Sequence, residues 1–161
     1  MTTTLPPLNE ADINEMDGAL DEFLGQTDAT TALVIDKGGF LITQTGDTRR
    51  FDATTLGALA AAMYAATQGI ASLVSEVNFS SVYQQGENFS LLVHNVDENC
   101  LLLVIFKAQI SVGAVKYYAL NTITQVAQQM LTAQARSPDE GLDLSVLNIA
   151  DTADLFRKKK A

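Results

Sequence analysis

Side chains that could carry out chemistry are few in this sequence, and they do not form a recognisable catalytic group. His94 is the single histidine and Cys100 the single cysteine of the 161 residues. A histidine acts as a general base when a nucleophile lies within hydrogen-bond reach, and no sequence signature supplies one to His94. We interpret His94 as a strand histidine with a local hydrogen bond, and Cys100 as a small core residue that opens an apolar strand. We therefore predict no catalytic residue.

Nucleotide- and metal-binding patterns are missing from the sequence as well. It contains neither the G-x-x-x-x-G-K-[ST] loop nor the G-x-G-x-x-G turn that cradle phosphates. One histidine and one cysteine do not make a zinc cluster. We predict no cofactor-binding residue, no metal ligand and no cofactor.

Composition limits the class of protein and its partners. Hydrophobic residues make up 47% and charged residues 18%, which is typical of one globular domain. The 19 acidic and 10 basic side chains give a net charge of −9, and this field would repel a phosphate backbone, so nucleic acid is excluded as a partner. The stretch from Met1 to Leu8 has neither a basic n-region nor an apolar h-region, so we expect no secretory signal and a cytoplasmic location.

Helices and strands that must position any binding surface follow in the order α-β-β-α-β-β-β-α. The all-apolar run from Leu101 to Phe106 is typical of a strand covered on both faces. Five strands with helices on both faces predict an α/β (α+β) three-layer sandwich. The predicted bounds are a helix from Asn9, strands at 31–35 and 40–43, a helix at 54–75, strands at 77–85, 89–94 and 100–107, and a helix at 112–135.

The first helix has a strongly acidic predicted solvent face. Asn9 can cap its N-terminus, with Asp12 three positions further on. Apolar residues recur at helical spacing between Ile13 and Leu24, and acidic residues fill the other positions. We expect water to solvate all of these acidic side chains, which are Glu10, Asp12, Glu15, Asp17, Asp21 and Glu22.

The central helix has no charged side chain in the 23 residues from Ala53 to Ser75. At about 100° per residue it divides into two faces. The face expected to pack on the domain's own sheet contains Leu56, Leu59, Met63, Ala66, Ile70, Leu73 and Val74. The reverse face, which we predict to be a protein interface, contains Gly57, Ala58, Ala61, Ala62, Ala65, Gln68, Gly69 and Ser72.

Protein binding is favoured for this reverse face because small side chains let another backbone come close. A helix without charge on any side is usually covered on all sides. Helix propensity alone could also explain the alanines. A membrane span is a further alternative by length, but Thr67 and Gln68 lie in its middle and flanking basic anchors are missing.

A family resemblance follows from these features together. The element order, the hairpin from Ile35 to Phe40 (Ile-Asp-Lys-Gly-Gly-Phe), the small-residue central helix and the long final helix resemble the Roadblock (dynein light-chain) family. The resemblance covers about residues 9–136. It implies a five-stranded antiparallel sheet with one helix on one face and two on the other. Residues 1–8 are then a disordered start, 9–136 the domain and 137–161 a C-terminal extension.

Dimerisation is the first functional implication of the resemblance. Family members form homodimers or heterodimers by pairing their third strands edge to edge and bringing their second helices together. The resemblance thus implies a second copy of this chain as a partner. The edge residues would be Val77, Phe79, Ser81, Tyr83 and Gln85 of the third strand.

Regulation of a small Ras-like GTPase is the second implication. Bacterial members of the MglB type are activating partners of an MglA-like GTPase, so the resemblance implies a non-enzymatic regulator of such a protein. A dimeric scaffold without effect on hydrolysis is the alternative. Arg49 and Arg50 are candidates for an arginine finger, although loop arginines are usually just solvated. We favour a conformational mechanism, in which a rigid surface binds the switch regions.

Overall fold

All eight predicted elements form, in the predicted order. The computed structural model describes residues 5–136, so the predicted extension at 137–161 lies outside the described residues. The elements are α1 (Glu10–Thr27), β1 (Thr31–Asp36), β2 (Leu41–Gly46), α2 (Ala53–Leu73), β3 (Ser81–Gln85), β4 (Phe89–Asn95), β5 (Cys100–Lys107) and α3 (Val112–Ala135).

The sheet has the strand order β2-β1-β5-β4-β3, and every neighbouring pair is antiparallel. Its central strand is β5, whose residues Leu101 to Val104 are completely buried. The run from Leu101 to Phe106 in β5 is apolar at every position because both faces of this strand are covered, as predicted. Strands β2 and β3 form the two edges of the sheet.

Two hydrophobic clusters lie on opposite faces of this sheet. The first contains Met16 and Phe23 of α1 and Val126 of α3. The second is smaller and contains Ala60, Ala61 and Tyr64 of α2. The predicted arrangement of one helix on one face and two on the other is confirmed. Leu5 and Leu8 pack against the first cluster, so the expectation of disorder is wrong for residues 5–8.

Asp12 departs from the predicted acidic solvent face of α1. Asn9 and Asp12 form a capping box, in which each side chain accepts a hydrogen bond from the other's backbone N–H. Asp12 is nevertheless completely buried, because its carboxylate also forms a salt bridge of 2.8 Å with Arg136 at the end of α3. The prediction that water solvates all six acidic residues is therefore wrong for Asp12.

The third strand is shorter than predicted, since β3 begins at Ser81 and not at Val77. The preceding loop is hydrogen-bonded to α2. The carbonyl oxygen of Phe79 accepts hydrogen bonds from Tyr64 Oη at 3.0 Å and from Gln68 Nε2 at 3.2 Å. These bonds attach the loop to the helix, so Val77 and Phe79 lie outside the edge strand.

Candidate protein-binding surface

Helix α2 begins at a well-formed cap. The Asp52 carboxylate accepts hydrogen bonds from the backbone N–H groups of Thr54 and Thr55 at 3.0 and 3.3 Å. The Thr55 hydroxyl also donates a hydrogen bond to this carboxylate. Together these hydrogen bonds, of which the one from the Thr55 hydroxyl contributes most, hold the pKa of Asp52 below its ordinary value. The cap fixes where the uncharged helix begins on the sheet.

The inner face of α2 differs from the predicted one. Gly57 and Ala61, predicted to face outward, are buried against the domain itself. A Cβ atom on Gly57 would lie 3.2 Å from the Gly39 carbonyl oxygen and from Ile35 Cγ2. Small side chains thus let α2 approach its own β1–β2 hairpin, and the prediction is wrong for these two residues. The buried set is Gly57, Ala60, Ala61, Tyr64 and Ala71.

The outer face of α2 is correspondingly more apolar than predicted. Leu59, Ile70 and Leu73 were expected to pack on the sheet, but they are 64%, 51% and 85% exposed. Ala66 and Val74 are exposed too, whereas Leu56 and Met63 pack partly buried against the second cluster. The exposed residues of the predicted interface are Ala58, Ala62, Ala65, Gly69 and Ser72; Gln68 is half-buried.

We define the α2 apolar face as Leu59, Ala62, Ala66, Ile70 and Leu73, all exposed. Their spacing of three and four places them on one side of the helix. Large exposed apolar side chains at such spacing are typical of interaction surfaces. Sequence reasoning missed this side because leucines are usually buried. The available signal was the Gly38–Gly39 turn, which indicates close approach of another backbone.

Helix α2 is also, among the described residues, the one helix long and apolar enough to cross a membrane by length and composition. Its inner face is fixed to the sheet by the Ala60, Ala61 and Tyr64 packing, and Gln68 is bonded to the loop before β3. In this fold, the helix is the outer layer of a sandwich.

A free strand edge accompanies α2. Strand β3 pairs with β4, from Ser81 opposite His94 to Gln85 opposite Ser90, and has no partner among the described residues on its other side. The Tyr83 ring stacks on Phe106, with ring centroids 6.2 Å apart. An edge of this kind presents backbone N–H and C=O groups that can pair with another chain.

The side chains considered for chemistry have local roles. His94 Nδ1 lies 2.8 Å from the Asn95 carbonyl oxygen, which confirms the predicted local hydrogen bond. Cys100 is buried and donates to Asp97 Oδ1, and burial, followed by the Asp97 charge, raises the pKa of its thiol well above the usual range. Arg50 Nε forms a 2.9 Å salt bridge with Asp47 on the surface. Within residues 5–136, no three His, Cys, Asp or Glu side chains form a possible metal site.

An uncharged helix with an exposed apolar side, beside a free strand edge, defines a protein-binding domain. The Roadblock/LC7 domain family model matches residues 16–106, and the chain belongs to this family. It is therefore a protein-binding domain and not an enzyme. No curated protein matches the chain.

Solved structures similar to this chain include three of MglB. An MglB with a tetrameric arrangement is 30% identical, with 80% of this chain and 96% of that chain covered and a TM-score of 0.75. The gliding protein MglB from Thermus thermophilus is 29% identical over 79% and 96% of the two chains, with a TM-score of 0.72. MglB from Myxococcus xanthus is 25% identical over 81% and 98%, with a TM-score of 0.74.

Proposed function

We propose that this protein is a homodimeric cytoplasmic regulator that binds a small Ras-like GTPase of the MglA type and promotes its GTP hydrolysis. The observation that carries the proposal is the α2 apolar face, which is exposed next to the free edge of β3. The similarity to MglB proteins supports a role in GTPase regulation.

The second copy of the chain would occupy β3 and part of the α2 apolar face. Strand pairing satisfies the open backbone groups of residues 81–85. Leu73 and the neighbouring Val77, which are 85% and 91% exposed, would lose water contact in such a dimer. Of the interface predicted from the sequence, Ala58, Ala62, Ala65, Gly69 and Ser72 remain candidates for contact with one of the two partners, because they are exposed.

Activation would be conformational. A rigid surface can bind the switch regions of the GTPase more tightly in their reactive arrangement than in other arrangements. The larger this difference in affinity, the more the reactive arrangement is populated. Arg50 is paired with Asp47 in the same loop, but both side chains are exposed and such a pair is weak, so Arg49 and Arg50 both stay candidates for an arginine finger. Arg49→Ala and Arg50→Ala variants with full activity would exclude this mechanism.

A single-turnover GTP hydrolysis assay tests the regulatory role. We expect the GTPase to hydrolyse GTP faster with the wild-type chain present, and no hydrolysis by the chain alone. Binding without a change in rate would instead establish the alternative, a dimeric scaffold. Failure of an MglA-type GTPase to bind at all would refute both roles for that partner.

Solution molar mass tests the dimer. We expect Leu73→Lys to lower self-association at least tenfold in sedimentation experiments, since it places a charge in an apolar contact. Leu120→Lys is the matched control, because Leu120 is 58% exposed on α3, away from β3 and α2. Equal dimerisation of the two variants would show that the second copy does not cover Leu73.

A further inference from the structure

A pocket of about 350 Å³ opens on the flank of α2. It lies between the helix, the turn after β1, the loop before β3 and the end of β4. Two alanines of α2 give it room, and its polar lining is Lys37, Tyr64, Gln68, Asn78 and Asn95. We call it the Lys37 pocket.

Backbone and side-chain hydrogen bonds hold the walls of the Lys37 pocket in place. The Lys37 N–H donates to the Asn99 carbonyl at 2.8 Å, and the Asn95 N–H donates to the Ser80 carbonyl at 2.8 Å. On the helix side, Tyr64 and Gln68 both donate to the Phe79 carbonyl. The pocket is therefore formed before any ligand arrives, which lowers the entropic cost of binding.

Lys37 brings a positive charge to the pocket, and within the described part of the chain no acidic group forms an ion pair with it. Its Nζ lies 5.9 Å from the centroid of the Tyr64 ring, within the range of a cation–π interaction. It makes no salt bridge with any residue between 5 and 136. The nearby carboxylates have other partners: Asp36 accepts from the Phe40 N–H, and Asp97 accepts from Asn99 and Cys100.

The remaining lining groups complement an anion that carries hydrogen-bond acceptors. Within residues 5–136, no acidic side chain lines the pocket. Asn78 contributes an amide that can donate to a carboxylate oxygen beside Lys37. Among the described residues, Asn95 Oδ1 is buried and has no hydrogen-bond partner, so a donor on the ligand, such as a peptide N–H, would satisfy it.

We propose that the Lys37 pocket binds the carboxylate of an Asp or Glu side chain on the GTPase partner, an inference that rests on the proposed function. The Lys37 pocket is separate from the α2 apolar face. Ala65 lines the pocket, and at about 100° per residue it lies roughly 120° around the helix from Leu59 of the apolar face. A second copy on the apolar face and the β3 edge would leave this flank for the other partner.

Charge reversal tests the pocket. Isothermal titration calorimetry would compare GTPase binding by the wild-type chain, Lys37→Gln, Lys37→Glu and the control Lys116→Glu, which makes the same charge change on exposed α3. We expect Lys37→Glu to weaken binding at least tenfold and Lys116→Glu less than twofold. Lys37→Gln should be intermediate, with weaker salt dependence. Equal affinities for Lys37→Glu and Lys116→Glu would overturn the proposal.

A second measurement separates this inference from the proposed function. In NMR titrations of the full chain, N-acetyl-glutamic acid α-amide should shift the side-chain amide signals of Asn78 and Asn95. The glutamine analogue, which lacks the carboxylate, should not shift them, and Lys37→Gln should abolish the shifts. If the GTPase does not bind wild type, the proposed function fails, and these shifts alone decide whether the pocket binds a carboxylate. Their absence overturns the pocket.

Discussion

The buried carboxylate of Asp12 offers the sharpest test of how α1 and α3 are held together. It receives hydrogen bonds from the Asn9 N–H at 2.8 Å, from Gln129 Nε2 at 2.6 Å and from both terminal nitrogens of Arg136 at 2.8 Å. Asp12→Asn removes the negative charge and replaces one carboxylate oxygen with an amide NH₂ group. This group cannot accept the hydrogen bonds that the surrounding side chains donate. The substitution should therefore break the link between residues 124 positions apart.

The expected loss of stability follows from burial. Removing one partner of a buried ion pair costs about 3–5 kcal/mol. Since the Arg136 side chain is 16% exposed and can regain some hydration, we expect the lower end, about 3 kcal/mol. Domains of this kind have a total stability of about 5–15 kcal/mol. The substitution should therefore shift the unfolding transition visibly.

The effect should also depend on pH in a defined direction. The hydrogen bonds from Arg136, first among the causes, hold the Asp12 pKa well below its ordinary value in the folded state. A group with a lowered folded pKa stabilises the fold above its unfolded pKa, here about 3.9. That stabilisation is lost as pH falls below this value towards the folded pKa. The difference between wild type and Asp12→Asn should shrink as pH falls below about 4.

Urea unfolding followed by far-UV circular dichroism suits this chain, which has no tryptophan. Matched protein concentrations are needed, because self-association adds to apparent stability. Glu15→Gln is the control, since Glu15 is exposed on the same helix and loses the same charge. A loss below about 1 kcal/mol for Asp12→Asn, or a difference that does not change between pH 7 and pH 3, would refute this account.

Three further predictions test the packing. In urea unfolding, Ala61→Arg should lower the free energy of unfolding by about 3 kcal/mol, because Ala61 is buried between α2 and the sheet. Ala66→Arg, on the exposed side of the helix, should lower it by less than about 0.5 kcal/mol and should reduce self-association instead. Gly39→Ala should cost about 1–3 kcal/mol in the same assay, because φ there is +97° and the new Cβ would lie 2.9 Å from Ala58 Cα. Iodoacetamide should label Cys100 only after unfolding, because Cys100 is buried and burial raises the pKa of its thiol. Mass spectrometry measures the labelling, and rapid labelling of the native protein would contradict this prediction.

Much of the fold was predictable because its signals are local. The predicted final helix, 112–135, agrees with α3, since its apolar positions recur at helical spacing from Val115 to Ala133. The Asn9 cap and the turn at Gly38–Gly39 were readable from two to four residues each. The unbroken apolar run of β5 indicated a strand covered on both faces, and the sheet order explains why.

The candidate site was only partly predictable, because α2 has no charge to mark a solvent side. Its helical wheel separated the large from the small side chains but could not decide which of them faced the sheet. The orientation of α2 follows from the close approach of Gly39 to the Ala58 backbone, which requires small residues on the side of the helix that faces the sheet. Leu59 and Leu73 therefore lie on the exposed side. The sequence predicted an uncharged helix on one face of the sheet, but not which side of that helix faces solvent.

The sequence by itself determined the order of the elements, the Asn9 cap of α1 and the presence of an uncharged helix on one face of the sheet. These properties depend on periodicity and on groups within one turn of each other. Only the tertiary structure decided that Asp12 meets Arg136, that Phe79 bonds to α2, and that Lys37 lies over Tyr64 in a pocket. Each of these contacts joins residues distant along the chain, so no local pattern could specify it.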